Sequence, residues 1–379
     1  MEKIINLSGR IDSNNIVEIE KKIMEDIKDF DGEIVFDAKE LEYISSAGLR
    51  MILKVKKTND KTKVINCNST VFEVFEITGF SEMMDISKDF RTISVDNCEI
   101  IGDGFYGTVY RIDPETIVKV YKKPDCLDMV KREKELSRKA FVKGIPTAIP
   151  YDIVKVGNSY GSVFELLDCK SLDTLIREGE NIENLSKECV NILKKMHTTE
   201  VDSNELPNRK MQIIEMAEAC KDYLSEDTLS NLLKFINSIE DKSTMVHGDF
   251  HIKNLMKQGD EILIIDMDTL SYGNPIFEFG AMYATYLGFS CVNRDNTKAF
   301  LGITNEQSEE IWDTIFNTYY EDKSEEEKEE LLKKMKIISY LEVLFIRTKF
   351  DDDNNKFRDK EIEFCKEYLT KNLPELVSK

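Results

Sequence analysis

HGDFHIKNLM, residues 247–256, holds two of the three histidines in a 379-residue chain. It also sets Asp249 and, five residues later, Asn254 into an otherwise apolar run. Histidines at i and i+4 ligate zinc when they share a helix face. Here Gly248 and the acidic residue between them predict a loop, and no cysteine or third ligand lies close in sequence. The acidic and amide side chains therefore carry the stretch, and the rest of the chain shows what they work with.

Downstream, EILIIDMDTL (261–270) reads as a strand that ends in Asp266. Upstream, IGDGFYGTVY (101–110) places Gly102, Gly104 and Gly107 in G-x-G-x-x-G spacing. A dinucleotide-binding loop with that spacing opens a helix. Here Val109 and Tyr110 continue as a strand, which is the setting of a glycine loop that covers a triphosphate with bare backbone. Lys119, within IVKVY (117–121), sits inside a buried-strand pattern and calls for an anion, because an unpaired buried charge is costly. The helical segment VKREKEL (130–136) offers Glu133 and Glu135. Two residues apart they face different ways, so only one can pair, and Glu133 is favoured.

Asp249 and Asn254 match the spacing of H-R-D-L-x-x-x-N loops, in which the aspartate takes the proton of an acceptor hydroxyl and the asparagine ligates magnesium. Asp266 is then the candidate ligand of the metal that bridges the phosphates. Phosphoryl transfer suits such a set because its chemistry is mainly alignment and charge neutralisation. His247 is expected to hydrogen-bond backbone carbonyls that shape the loop, and His251 to lie at the domain surface or near the acceptor. His197, in ILKKMH, falls on a helical apolar pattern as a core hydrogen-bonder.

From about residue 98 onward the chain resembles the aminoglycoside phosphotransferase and choline kinase branch of the protein-kinase-like fold. The resemblance rests on the H-G-D-F-H-x-x-N segment, on IDMDTLSYGNPIFEFG (265–280), and on the lack of D-F-G and A-P-E segments. It implies a bilobed α+β domain with a largely helical second lobe, and ATP and magnesium as cofactors. Adenine would be held by the lobe-connecting strand Phe164–Asp168, through Glu165 and Leu167. The phosphate loop is more glycine-rich than in many aminoglycoside kinases.

The preceding segment alternates strand and helix signals: EIVFDA (33–38), TKVINC (62–67) and the helical VFEVFEITGF (71–80). LEYISSAGLR (41–50) opens a helix whose N-terminus is a favourable place for a phosphate. With LSGRID ahead of it, this segment resembles the STAS domain of bacterial anti-sigma factor antagonists. Laid on their D-S-[ST]-G-L motif, Ser46 takes the phosphoacceptor position and Ser45 replaces the aspartate. The expected fold class is thus an α/β STAS domain (1–90) before a bilobed kinase-like domain, with a nucleotide-binding lobe (91–168) and a catalytic, acceptor-binding lobe (169–379).

Composition excludes several other classes. A net charge of −20 argues against nucleic-acid partners. Apolar runs such as YLEVLFI (340–346) are too short to span a membrane. Eight scattered cysteines without a C-x-x-C pair read as reduced thiols in a cytoplasmic protein. Three functions remain: a kinase of a small-molecule hydroxyl with a regulatory or docking STAS domain that engages an anti-sigma factor or similar partner; a regulatory serine kinase that uses Ser46 as acceptor; and a nucleotide-switched scaffold. Intact Lys119, Asp249, Asn254 and Asp266 weigh against the third, and the H-G-D form favours the first.

Overall fold

The computed structural model describes residues 2–104, 106–124, 126–350 and 356–377. They form two units, residues 1–96 with 153–161 and residues 97–152 with 162–379.

The first unit alternates β1 (Glu2–Ile11), α1 (Ile16–Asp26), β2 (Glu33–Ile44), α2 (Ser46–Thr58), β3 (Thr62–Cys67), α3 (Ser69–Ile77) and β4 (Ile86–Lys88). The four strands are parallel in the order β1-β2-β3-β4. Phe36 and Ala38 of β2 are fully buried and pack with Leu7, Ile23, Ile52 and Phe75 into one core. β2 runs well past the EIVFDA stretch, because Leu41, Tyr43 and Ile44 pair with Gly9, Arg10 and Ile11 across two register shifts. Ser45 ends this extension and caps α2, its hydroxyl accepting from the Gly48 amide. Gly48 has to be small there: a Cβ would lie 2.6 Å from Ile44 Cγ1. Residues 153–161 join this unit through β5 (Thr92–Ile93), which pairs with Lys155 and Val156, and through an edge-on Phe90–Tyr160 contact.

The second unit opens with an antiparallel meander of β6 (Glu99–Asp103), β7 (Gly107–Arg111) and β8 (Thr116–Tyr121), followed by α4 (Leu127–Val142). The strands β9 (Pro150–Val156) and β10 (Ser159–Glu165) come next, only residues 150–152 and 162–165 of them belonging to this unit, and β10 lies beside β8. A short strand, β11 (Lys170–Ser171), leads into four helices: α5 (Leu172–Arg177), α6 (Ile182–Thr198), α7 (Arg209–Ala219) and α8 (Glu226–Ser238). The 247–256 loop is bracketed by β12 (Met245–Val246) and β13 (Leu255–Gln258), and β14 (Glu261–Ile264) pairs back on β13. After β15 (Ser271–Tyr272) the remainder is helical: α9 (Pro275–Tyr286), α10 (Asp295–Leu301), α11 (Asn305–Tyr319), α12 (Glu325–Lys349) and α13 (Arg358–Val377).

The apolar stretch that opens α9 is helical because Asn274 caps it and Pro275 occupies the first turn, where its missing N–H costs nothing. α9 packs against α12 so closely that a Cβ on Gly280 would lie 2.4 Å from Ile338 Cγ2. α9 supports the 247–256 loop directly through Glu278 and Tyr286, and α12 reaches it through Arg209 of α7. Among the described residues no helix is long and apolar enough to cross a membrane.

Candidate functional site

Lys119 projects from β8 and is the hub of a charge cluster. Its Nζ donates to Glu133 Oε1 at 2.8 Å and to Asp266 Oδ1 at 2.6 Å. The two acids come from α4, the next element along the chain, and from the turn after β14, 147 residues on, so that a distant segment meets the first two at one ammonium. Glu133 is 2% exposed, whereas Glu135 lies on the outer side of α4 and pairs with Arg138 and Lys139. Burial would lower the Lys119 ammonium, but Glu133 and Asp266 outweigh it and hold the group charged above its ordinary range. Burial also pushes the Glu133 carboxyl up, and Lys119 pulls against that rise. Asp266 adopts a left-handed backbone, φ 65°, a conformation that aspartate tolerates better than most residues.

The loop of residues 247–256 is fixed from both sides. The Asp249 amide donates to His247 Nδ1 at 3.2 Å, so the other ring nitrogen, Nε2, carries the proton and donates to the Ile265 carbonyl at 3.2 Å. The Ile265 amide in turn donates to the Asn254 carbonyl at 2.9 Å. The loop is therefore stitched to the residue before Asp266. Asn254 Nδ2 donates to the Asp249 carbonyl oxygen at 3.0 Å and to its Oδ2 at 3.1 Å, which leaves the amide oxygen free of both bonds. The Asp249 side chain is 43% exposed. Desolvation raises its carboxyl, but His251, His247 and Asn254 outweigh that and hold it below the ordinary carboxylate range. It stays ionised at neutral pH.

The glycine turn closes β6 onto β7, the Gly104 amide donating to the Gly107 carbonyl at 2.9 Å. Gly107 is the demanding position, since a Cβ would lie 2.7 Å from the Val120 carbonyl oxygen. Gly102 faces only Val109 at ordinary contact distance. Lys122 clasps the turn: its Nζ donates to the Gly104 carbonyl at 2.8 Å and its amide to the Tyr106 carbonyl at 2.9 Å. Glu165 ends β10, its carboxylate accepting from the Ile149 amide at 2.8 Å, and Leu167 lies in the connection to β11. In the first unit Ser46 is exposed at the first position of α2.

Several site residues lie outside the sequence-derived set. Glu278 of α9 is fully buried and accepts the backbone N–H groups of His247 and Gly248, the latter at 2.9 Å. Arg209, at the start of α7, is 4% exposed and donates to Glu342 of α12 at 2.8 Å and to the Gly248 carbonyl at 3.4 Å. Burial lifts the Glu342 carboxyl to about 7 although Arg209 pulls it back. Asp268 has no hydrogen bond or ion pair among the described residues, and burial beside Asp266 pushes it well above the usual carboxylate range. His251 is not at the surface: it is 4% exposed, with Nε2 3.3 Å from Asp249 Oδ1. His197 is buried and its Nδ1 lies 2.8 Å from the Tyr319 hydroxyl.

Residues 97–308 match the model of a phosphotransferase enzyme family, and residues 2–93 match the STAS domain. BtrV of Bordetella bronchiseptica, a proposed anti-sigma factor antagonist, is 32% identical over 86 residues, 22% of this chain and 74% of that protein. A thermostable mutant of the aminoglycoside phosphotransferase APH(4)-Ia aligns in its apo form with a TM-score of 0.51 and 11% identity, over 75% of this chain and 96% of that one. A mutant of the same protein in complex with ADP and hygromycin B aligns with a TM-score of 0.51 and 12% identity, over 72% and 93%. At such identity the likeness shows a shared fold, and it is the kinase-like fold expected of the second unit.

Proposed function

We propose that this chain, which belongs to the phosphotransferase enzyme family and carries a STAS domain ahead of it, transfers the terminal phosphoryl group of ATP to a small-molecule hydroxyl, with magnesium. The observation that carries the reading is the meeting of Lys119, Glu133 and Asp266 next to the Asp249–Asn254 loop. One ammonium faces carboxylates from Glu133, Asp266 and Asp268, with Asp249 close enough to add to the field on Asp268. Such an excess of negative charge, with an unpartnered Asp268, fits hard divalent cations.

Asp266 and the Asn254 amide oxygen would hold magnesium. Two protein ligands suffice, since that ion keeps waters and takes phosphate oxygens. Bound there, it would neutralise charge on the phosphates. Lys119 would move from Asp266 to the α- and β-phosphates while Glu133 keeps it in place. Gly102, Gly104 and Gly107 would cover the triphosphate, and Glu165 and Leu167 would offer backbone groups to adenine. Asp249, ionised and held by Asn254, would take the proton as the acceptor oxygen bonds to the γ-phosphorus and the β–γ bridging bond breaks, with ADP leaving.

The lack of D-F-G and A-P-E segments supports a small molecule over a protein as acceptor. Ser46 remains a second acceptor on one observation, its exposure at a helix N-terminus, where phosphate is stabilised. Radiolabelled ATP offered with magnesium to aminoglycosides, choline-like amines, sugars and the chain alone distinguishes the readings. Label in a small molecule is the expected result. Label only in the chain, abolished by Ser46→Ala, would replace the first reading with the second, and no label anywhere would remove both.

A further inference from the structure

Around Asp249 the hydrogen-bond donors can be counted, and the count assigns a state to His251. Both N–H groups of the Asn254 amide are committed, one to the Asp249 carbonyl and one to its Oδ2. The amide nitrogen also lies 3.4 Å from His251 Nε2, but it has no third proton to give. Nε2 of His251 is 3.3 Å from Asp249 Oδ1, so the group available to that oxygen is an N–H on Nε2. The opposite nitrogen, Nδ1, is buried without a hydrogen-bond partner. A proton there would be an unsatisfied buried donor, which is the costlier arrangement. The ring is held by an edge-on contact with Phe300, centroids 5.3 Å apart. Phe300 is itself pinned by Lys253, which donates to its carbonyl at 3.1 Å and lies over its ring.

We propose that His251 is a positioning residue for Asp249: a neutral imidazole protonated on Nε2 that fixes one carboxylate oxygen and turns the exposed side of the group toward the acceptor hydroxyl. The inference rests on the reading of Asp249 as the base and deepens it. His251 neither touches the acceptor nor carries its proton away. Its effect therefore belongs in the turnover rate and not in nucleotide affinity.

Only three histidines are present, so protein labelled with 15N-histidine gives three ring systems. That of His251 is identified by its loss in His251→Gln. At pH 7 the expected spectrum shows His251 protonated on Nε2, with a proton resonance that moves in Asp249→Asn while that of His197 stays. A proton on Nδ1, or a resonance indifferent to Asp249, overturns the proposal whether or not an acceptor is known. In transfer assays, His251→Phe removes the donor and keeps a flat ring. A fall in kcat of roughly 30- to 100-fold is expected, the loss of one charge-assisted hydrogen bond. Nucleotide affinity should stay within about twofold, and His251→Gln, which retains a donor, should recover much of the rate. Wild-type kcat in His251→Phe, with unchanged His247 and His197 signals, refutes the role of His251 alone. Absence of turnover in the wild type strikes the phosphotransfer reading, and the resonance arm still decides the hydrogen bond.

Discussion

Glu278→Gln tests how the site loop is held. The carboxylate is fully buried and its two oxygens accept separate backbone N–H groups, those of His247 and Gly248. Glutamine has the same shape but one acceptor oxygen. Whichever way the amide turns, one backbone N–H faces an NH2 group across a gap too small for water. The change removes one charge-assisted hydrogen bond and leaves a buried donor unsatisfied, about 3 kcal/mol in all. Because Glu278 touches the loop and not the nucleotide, the cost should appear as local opening. Hydrogen exchange followed by mass spectrometry reads this directly. Peptides covering 245–256 should exchange on the order of 100-fold faster, the rate equivalent of that energy. Peptides from β1 and β2, whose core is separate, should be unaffected. Unchanged exchange across 245–256 would refute the anchoring role. A uniform increase over the whole second unit would show that Glu278 supports the core in general and not this loop.

Asp249→Asn should reduce phosphoryl transfer by about 10²- to 10⁴-fold, the usual contribution of a positioned base. Calorimetric nucleotide affinity should be unchanged; weakened binding in step with turnover would argue against that role. Asp266→Asn should erase the gain in nucleotide affinity that magnesium gives the wild type, also read by calorimetry, and a magnesium effect that survives would displace the metal from this residue. Glu342 gives a pH signature. Its carboxyl is raised on folding from 4.5 to about 7, so the folded chain binds that proton more tightly. The stabilisation is therefore present at acid pH and lost as pH rises from the unfolded value through the folded one. Between pH 5 and 8 the wild type should lose stability relative to Glu342→Gln in urea unfolding, on the order of 2 kcal/mol. Parallel pH curves for the two proteins would refute the assignment.

The residues that could be read from the sequence are those announced by short-range spacing. Asp249 and Asn254 are five apart in one loop, the glycines share one turn, Lys119 sits in a strand whose pattern stands out, and Asp266 follows directly after another. Choosing between Glu133 and Glu135 needed the rotation of α4, which turns the first inward to 2% exposure and the second out to Arg138. The anchors Glu278, Arg209 and Glu342 were not legible as site residues, because nothing local ties them to a loop far along the chain. Two of them did leave a trace. Glu278 lies between Phe277 and Phe279, and Glu342 between Leu341 and Val343. A carboxylate in such a run is either buried with a partner or breaks the pattern. The placement of residues 153–161 with the first unit was hidden for a different reason. Strand pairing with Thr92 and Ile93 depends on backbone hydrogen bonds, which leave little mark on side-chain choice.

The glycine in H-G-D follows from where the chain keeps its arginine. In H-R-D loops the loop itself brings the guanidinium. Here Gly248 has φ +84°, and a Cβ on it would lie 3.1 Å from Arg209 Nη1 and 3.3 Å from the Thr269 carbonyl oxygen. Any side chain at position 248 therefore meets both a strained backbone and an occupied space. Arg209 comes from α7, is buried, and donates to Glu342 of α12. The cation beneath the loop is thus carried by helices of the second lobe, while Glu278 of α9 takes the loop's backbone donors from the same side. Three helices thus hold the backbone of the loop that carries Asp249, while His251 and Asn254 of the loop itself orient its side chain. Helical packing in this lobe also shapes the acceptor side in the proposed function. On that reading, repacking α7, α9 or α12 for a new acceptor would shift Arg209, Glu278 or Glu342, and with them the loop that carries Asp249, and would tie acceptor selection to the geometry of the site.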